Sequence, residues 1–465
     1  METQKKKFKM PHTYVILVTV ILIMTACTYF IPAGEYDRVE VNGRTVVDAS
    51  SYHSVENNPV GFFELFKSIP EGYNESCAII FFIFIIGGSF HIVTSTGAIE
   101  KGIGRLAKAS QGRERLLIPL ITFTFSLAGG TFGMSEEGIV FVPIGVALAR
   151  AVGFDAIVGM AIVALGIGVG FSSEFMNPFT VGVAQGIAEV PTFSGMGLRL
   201  IVWGVMLVIT IFYIMRYAKK IKQNPKLSIV RDLEEEEKDS HIDLENLGQL
   251  TLRDKLILTS LMVTIVVLIY GVFNYGWYLT ELCALFIILG ILSGLIAGFG
   301  PSQIAREFVA GAKEMVFGAL VVGIARTILV VMTNGMIIDS IVHALASFIS
   351  ILPKGIAAVA MMLVQAIINF FIPSGSGQAA ATMPLMTPLC DVIGLTRQTA
   401  VLAYQFGDGF TNSIIPTSAV LMGNLSVAKI SYEKWLKFIA LLMGICLGTC
   451  AVFMLIAAAI NYGPF

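Results

Sequence analysis

Apolar sequence in this chain is interrupted in the same manner in two stretches about 240 residues apart. The first runs Gly133-Met134-Ser135-Glu136-Glu137-Gly138, then Pro143, Gly153, Gly170-Phe171-Ser172-Ser173 and Pro178. The second runs Gly375-Ser376-Gly377-Gln378, then Pro384, Gly394, Gly409-Phe410-Thr411-Asn412 and Pro416. Proline and glycine stand ten residues apart in both. A lipid core offers no water to a freed N–H or C=O, so a helix breaks there only where protein or a wet cavity covers the break. Paired broken segments in matching halves of a membrane chain point to the solute site of a secondary transporter.

Composition supplies the membrane. Of 465 residues, 55% are hydrophobic and 14% charged, against about 25% charged in soluble domains. A hydrocarbon core of ~30 Å needs about 20 residues of helix. Clear apolar runs are Thr13–Ile31, Ala78–Ser95, Leu198–Met215, Leu256–Phe273, Leu279–Ala297, Met315–Met332, Gly355–Ile372 and Phe438–Ile460. Shorter ones occupy Leu116–Leu127, Ile139–Val152, Ala156–Val169, Thr382–Ile393 and Thr399–Phe406. No basic motif suggests nucleic acid. The six cysteines lack CxxC spacing or a Cys/His cluster, so they read as buried thiols with no metal. Lys5, Lys6, Lys7 and Lys9 precede an apolar run too long for a signal peptide, and no A-x-A site follows. The expectation is an uncleaved first span with its amino end in the cytoplasm.

Basic residues set orientation. Glu100–Arg115 carries Lys101, Arg105, Lys108, Arg113 and Arg115 and is expected in the cytoplasm, whereas its counterpart Met336–Lys354 has only Lys354 and is expected outside. Thr94-Ser95-Thr96-Gly97 matches Met332-Thr333-Asn334-Gly335. Lys429, Lys434 and Lys437 precede the last span, while Pro191–Leu198 has no Lys or Arg. Equivalent points thus fall on opposite sides, the signature of an inverted repeat. The expected organisation is a span at 1–31, an external loop at 32–75, repeat one at 76–215, a cytoplasmic linker at 216–255, linking spans at 256–298 and repeat two at 299–465. The external loop reads as partly ordered at best, the linker as solvated and mobile, and the carboxyl end as outside.

Pro373 cannot continue a regular helix, and Ser374, Gly375, Ser376 and Gly377 follow it. A new helix capped by Ser376 would make a re-entrant hairpin whose tip suits an anion or carboxylate. Leu127–Gly138 should do the same, with Ser135 matched to Ser376. The second break, expected at Gln405–Ser413, offers Asp408, Thr411, Asn412 and Ser413; its partner offers Ser172, Ser173, Glu174 and Asn177. Unwound carbonyls and such side-chain oxygens suit Na⁺ or an ammonium, and intramembrane ionisable groups are functional hypotheses by default. Glu136, Glu137, Glu174 and Asp408 face one central cation, Arg326. Arg326 could pair with Asp408 or grip a substrate carboxylate with its two-pronged guanidinium. Arg150 and Arg397 read as interfacial. Gln365, Asn369, Gln405 and Asn334 read first as bonds between helices and second as pocket lining. A dicarboxylate would meet repulsion from the fixed acids; a cationic amino acid would not, though a coupling Na⁺ or H⁺ could also account for them.

Pro373-Ser374-Gly375-Ser376-Gly377-Gln378-Ala379, Gln405–Asn412 and Trp435-Leu436-Lys437-Phe438 resemble the YfcC branch of the DcuC-type transporters, within the ion-transporter superfamily. The likeness covers nearly the whole chain. It implies an all-α polytopic carrier with two inverted repeats, each holding a re-entrant hairpin and an unwound helix, and elevator-like movement of a transport domain. Its members divide between four-carbon dicarboxylate carriers and arginine/ornithine-type exchangers, and the chain resembles the YfcC side more.

The function expected is exchange or cation-coupled transport of a basic amino acid across the bacterial inner membrane. Dicarboxylate transport and Na⁺/H⁺ antiport through Asp408 and Glu174 are the alternatives. Intramembrane aspartyl proteolysis would need two Asp sharing a proton, and no second deep Asp is evident, so no enzyme activity is expected. The partners expected are a small solute and the bilayer, with no nucleic acid and no organic cofactor. Whether the carrier is a homodimer, and which of Na⁺ or H⁺ it couples to, the sequence leaves open.

Overall fold

The computed structural model describes residues 13–41, 44–48, 50–99, 101–102, 105, 114–177, 180–236, 250–275, 277 and 279–463. Pro178, Lys5–Lys9, Lys108, Arg113 and Glu237 lie outside them. The apolar runs become helices, and further helices form between them: α1 (Thr13–Phe30), α2 (Phe62–Glu75), α3 (Cys77–Ser95), α4 (Glu114–Phe132), α5 (Val142–Ala151), α6 (Ala156–Ser172), α7 (Val181–Ile187), α8 (Met196–Gln223) and α9 (Arg231–Glu236). They continue with α10 (Leu252–Tyr275), α11 (Leu279–Ala297), α12 (Pro301–Glu314), α13 (Val316–Asn334), α14 (Ile338–Ser350) and α15 (Lys354–Phe371). The last four are α16 (Gly375–Ile393), α17 (Arg397–Thr411), α18 (Ala419–Val427) and α19 (Tyr432–Ala459). Among the described residues, five helices (α3, α8, α11, α15 and α19) are long and apolar enough to cross a membrane, or six if α12 and α13, bent by 46°, form one broken span.

Lengths repeat between the halves. A 14-residue amphipathic helix, one linking residue and a 19-residue apolar helix make both α2–α3 and α12–α13. Helices α8 and α19 have 28 residues each, about 42 Å at 1.5 Å per residue. Left-handed backbone also recurs in pairs: Gly97 with Met336, Gly153 with Gly394, and Glu189 with Lys429. Gly153 and Gly394 terminate α5 and α16, where a residue without Cβ takes positive φ without strain. These are the glycines ten residues beyond Pro143 and Pro384.

Packing is reciprocal. Helix α12 lies on α3 and α2 on α13; α11 lies on α3 and α1 on α13; α4 pairs with α6 as α15 pairs with α17. Gly72 and Gly311, each the eleventh residue of its amphipathic helix, make the crossings. A Cβ on Gly72 would stand 2.8 Å from the Gly323 carbonyl, and one on Gly311 would stand 2.4 Å from the Gly87 carbonyl.

Two expectations about the loops are corrected. The described residues of 32–75 form regular elements: β1 (Gly34–Glu35) pairs with β4 (His53–Ser54), β2 (Arg38–Val41) pairs with β3 (Arg44–Val47), and α2 follows. The segment docks on α14, where Asp339 accepts from Tyr36 N at 3.1 Å and pairs with Arg38 at 2.9 Å. The linker is no free tether over residues 216–236. Glu234 pairs with Arg150 at 2.9 Å, and Asp155 accepts from the hydroxyls of Tyr217 (2.7 Å) and Ser228 (2.6 Å). Polar partners on neighbouring helices hold both segments where mean hydropathy predicts solvent.

The ion pairs sort the loops by end of the molecule. Lys101–Asp254, Lys222–Glu114, Arg150–Glu234 and Lys434–Asp232 join the basic segments around the linker. Asp232 is held below the usual aspartate range chiefly by its hydrogen bond to Lys434. At the other end of α19, Lys354 Nζ donates to Asn461 at 2.7 Å.

Candidate functional site

Four chain breaks meet at the centre. After α4, Gly133 turns at φ 71° with the Asn177 side chain packed so closely that a Cβ would stand 2.4 Å from its Oδ1. Glu137 then accepts from Ser135 N at 2.9 Å and steadies the short 3₁₀ turn Glu136–Phe141. In the other half α15 ends at Phe371 and α16 begins at Gly375. The cap residue is Ser374, not the expected Ser376, and it makes no side-chain capping bond. Tyr404 donates to the Gly375 carbonyl at 2.6 Å, and Thr180 from the first half packs on the Gly375 Cα.

The second pair of breaks falls later than expected. Gln405 to Thr411 is helical, and the chain unwinds over 412–418, between α17 and α18. Glycines 407 and 409 serve close packing there, not unwinding: a Cβ on Gly407 would stand 2.7 Å from the Met362 carbonyl. The matching break follows α6. Inside it Glu174 accepts from Val181 N at 2.7 Å, and also from Thr180 Oγ1 and Asn177 Nδ2. Gln405 Nε2 donates to the Glu174 carbonyl at 2.8 Å, tying the two breaks together.

These breaks surround a cavity of about 600 Å³. Ser135, Glu136, Glu137, Arg326, Ser374, Gly375, Ser376, Asn412 and Ser413 line it, so both repeated motifs reach one space. Gly377, Asp408, Thr411, Ser172, Ser173, Glu174 and Asn177 are not in its wall. Asp408 sits behind it, 2% exposed, and its Oδ1 has no hydrogen-bond partner among the described residues. Asn369 braces the same turn, donating to the Asp408 carbonyl and Thr411 Oγ1 at 2.8 Å each and to Asn412 Oδ1 at 3.1 Å. Gln365 bonds Gln378 and Thr382, and Asn334 bonds Glu71, as expected of helix-to-helix ties.

Arg326 does not pair with Asp408. Its Nε meets Glu75 Oε2 at 2.7 Å, and both side chains line the cavity. Glu75 was not visible as a site residue because it closes α2, an amphipathic helix in a segment read as loop. Trp277, Thr180, Asn424 and Trp435 also line the space unannounced by sequence. Nor is Arg326 the only deep cation: Arg199, fully buried, donates to the Ser194 carbonyl at 3.1 Å and to Gln398 Oε1 at 3.0 Å. It stands second in an apolar run whose other residues concealed it. Arg150 and Arg397 pair with Glu234 and with Asp391 and Glu189, away from the cavity. Among the described residues no group of His, Cys, Asp and Glu is arranged to hold a metal.

Apolar helices around a polar, doubly broken centre define a membrane transporter. The chain belongs to the DcuC family, described as C4-dicarboxylate anaerobic carrier, which it matches over residues 10–459. It is 37% identical over 98% of both chains to a protein of Escherichia coli (strain K12) named "Putative basic amino acid antiporter YfcC". It is 28% identical, over 95% of both, to an uncharacterized protein of Haemophilus influenzae. Among solved structures the YdaH transporter of Alcanivorax borkumensis aligns over 98% of this chain and 100% of that one, at 14% identity and a TM-score of 0.44. Likeness at that level carries no argument about the arrangement.

Proposed function

We propose that the chain is a secondary carrier that exchanges a basic amino acid, of the arginine or ornithine type, across the bacterial cytoplasmic membrane. One observation carries this: the charged side chains among the described residues lining the cavity are Glu75, Glu136, Glu137 and Arg326. Three carboxylates against one guanidinium suit a solute with two cationic groups and one carboxylate. The volume of about 600 Å³ lies within the ~300–1,000 Å³ of small-molecule sites. The name given to YfcC agrees with this reading.

The finer architecture belongs to the same proposal. The paired helix lengths and reciprocal packing support two inverted repeats, with the breaks at 133–135 and 372–374 as re-entrant tips and those at 173–177 and 412–418 as unwound helices. The transport domain would then move as an elevator, with the linker and amino end in the cytoplasm and the carboxyl end outside. Asp408 and the 412–418 turn are the proposed seat of a coupling Na⁺ or H⁺, and Glu174 with Ser172, Ser173 and Asn177 its wall.

The family's description favours a second reading, a four-carbon dicarboxylate carrier. Counterflow in proteoliposomes with labelled arginine, ornithine, fumarate and succinate separates them. Arginine or ornithine flux without dicarboxylate flux supports the proposal; the reverse result transfers the site to dicarboxylates. Proton movement driven by a sodium gradient without organic solute would mark a Na⁺/H⁺ antiporter instead.

A further inference from the structure

Resting on the amino-acid reading above, we propose that Glu75 and Arg326 form an exchangeable clamp for the α-ammonium and α-carboxylate of the substrate, with Glu136 and Glu137 left to read its side chain. Glu75 Oε2 and Arg326 Nε are 2.7 Å apart, and the two side chains are 44% and 34% exposed. Both line the cavity, so the pair is within reach of a solute. An ion pair this exposed contributes little stability of its own, and opening it costs correspondingly little.

Nor does α2 depend on the pair for its seat. Glu71 accepts from Asn334 Nδ2 at 3.2 Å, and Gly72 packs against Gly323 and Thr327. The ammonium and carboxylate of an α-amino acid sit on one carbon, so each can replace one partner of a contact this short. Arg326 would take the carboxylate as Glu75 takes the ammonium, and net charge at that spot is unchanged. A second carboxylate would instead meet Glu75, which gives the site its bias against diacids. Among the described residues no ion pair occupies Glu136 or Glu137; Glu136, and the Glu137 oxygen not bonded to Ser135 N, are left for a guanidinium or terminal amine.

Substrates trimmed at one end test the clamp. Agmatine is arginine without its carboxylate, and Nα-acetylarginine lacks the α-ammonium. The full chain is reconstituted and labelled-arginine counterflow is measured with each compound as competitor. Arg326→Gln is expected to raise the KM for arginine about tenfold or more, as loss of one charge-assisted contact would, while agmatine inhibits within about twofold of wild type. Glu75→Gln should do the same to arginine and spare Nα-acetylarginine. Equal losses for arginine and both trimmed compounds would reduce the pair to a structural brace and overturn the clamp. Arginine counterflow whose discrimination neither variant alters overturns the clamp alone; a wild type that moves no arginine overturns both it and the reading beneath it. If Arg326→Gln is not recovered folded, Arg326→Lys keeps the charge without the fork, and its loss should again be confined to compounds bearing the carboxylate.

Discussion

Gly409 in α17 lies so close to Ser172 at the end of α6 that a Cβ added to it would stand 2.5 Å from the Ser172 Cα. A mirror-related contact joins α6 to the turn that follows α17, where a Cβ on Gly168 would stand 3.2 Å from Ser413 Oγ. Each half contributes one glycine and one serine. The first contact is backbone against backbone and the second meets a hydroxyl that can rotate. Gly409→Val should therefore overpack the centre, at about 1–3 kcal/mol, whereas Gly168→Ala should be tolerated. Thermal unfolding of the detergent-solubilised variants checks this, with equal midpoints for the two counting against it.

Asp408 has a buried carboxylate oxygen with no hydrogen-bond partner among the described residues, directly behind the cavity wall. Asp408→Asn keeps the shape and removes the charge. It is expected to abolish counterflow while insertion, expression and elution as a folded species are unchanged. Arg326→Ala should do likewise for solutes bearing a carboxylate. Normal uptake by both variants in vesicles would remove these residues from the mechanism.

Glu174 satisfies three donors at the start of α7. Replacement by Gln presents an amide nitrogen where an acceptor stood, and a buried donor left unsatisfied costs about 1–3 kcal/mol. The expected outcome is a lowered unfolding temperature. If Glu174 also walls the ion site, the sodium or pH dependence of transport will change as well; a stability change alone would restrict it to holding the loop.

Lys434 and Lys354 mark opposite ends of α19, through Asp232 and Asn461 respectively. Single cysteines placed there in a cysteine-free background should react differently with a membrane-impermeant maleimide in intact cells. Label at position 354 and none at 434 is expected. Label at both would contradict the proposed orientation, in which α19 runs from the cytoplasm to the outside.

The duplicated motif made the centre legible: Ser135 and Ser376, 241 positions apart in the chain, do face one cavity. Glycine misled at Gly407 and Gly409, because in a packed helix the missing Cβ lets a neighbour approach as readily as it loosens a turn. The breaks accordingly fall at 412–418 instead of 405–413. Helices α2 and α12 escaped notice because only one face of each is apolar and hydropathy averages the two. Their shared eleventh-position glycines, Gly72 and Gly311, were the available signal. Arg199 was hidden by its apolar neighbours, and Glu75 became relevant only once α2 was known to end at Arg326.

The crossed seating of α2 on α13 and α12 on α3 means that neither half of the polypeptide owns a finished wall. A protein cleaved between residues 237 and 249 would yield two fragments, each with a groove shaped for the other's arm. Expressed singly they would expose those grooves to lipid; expressed together they should clasp. The carrier is thus better pictured as an interlocked couple than as two domains in tandem, and a single half could have closed only by embracing a second copy.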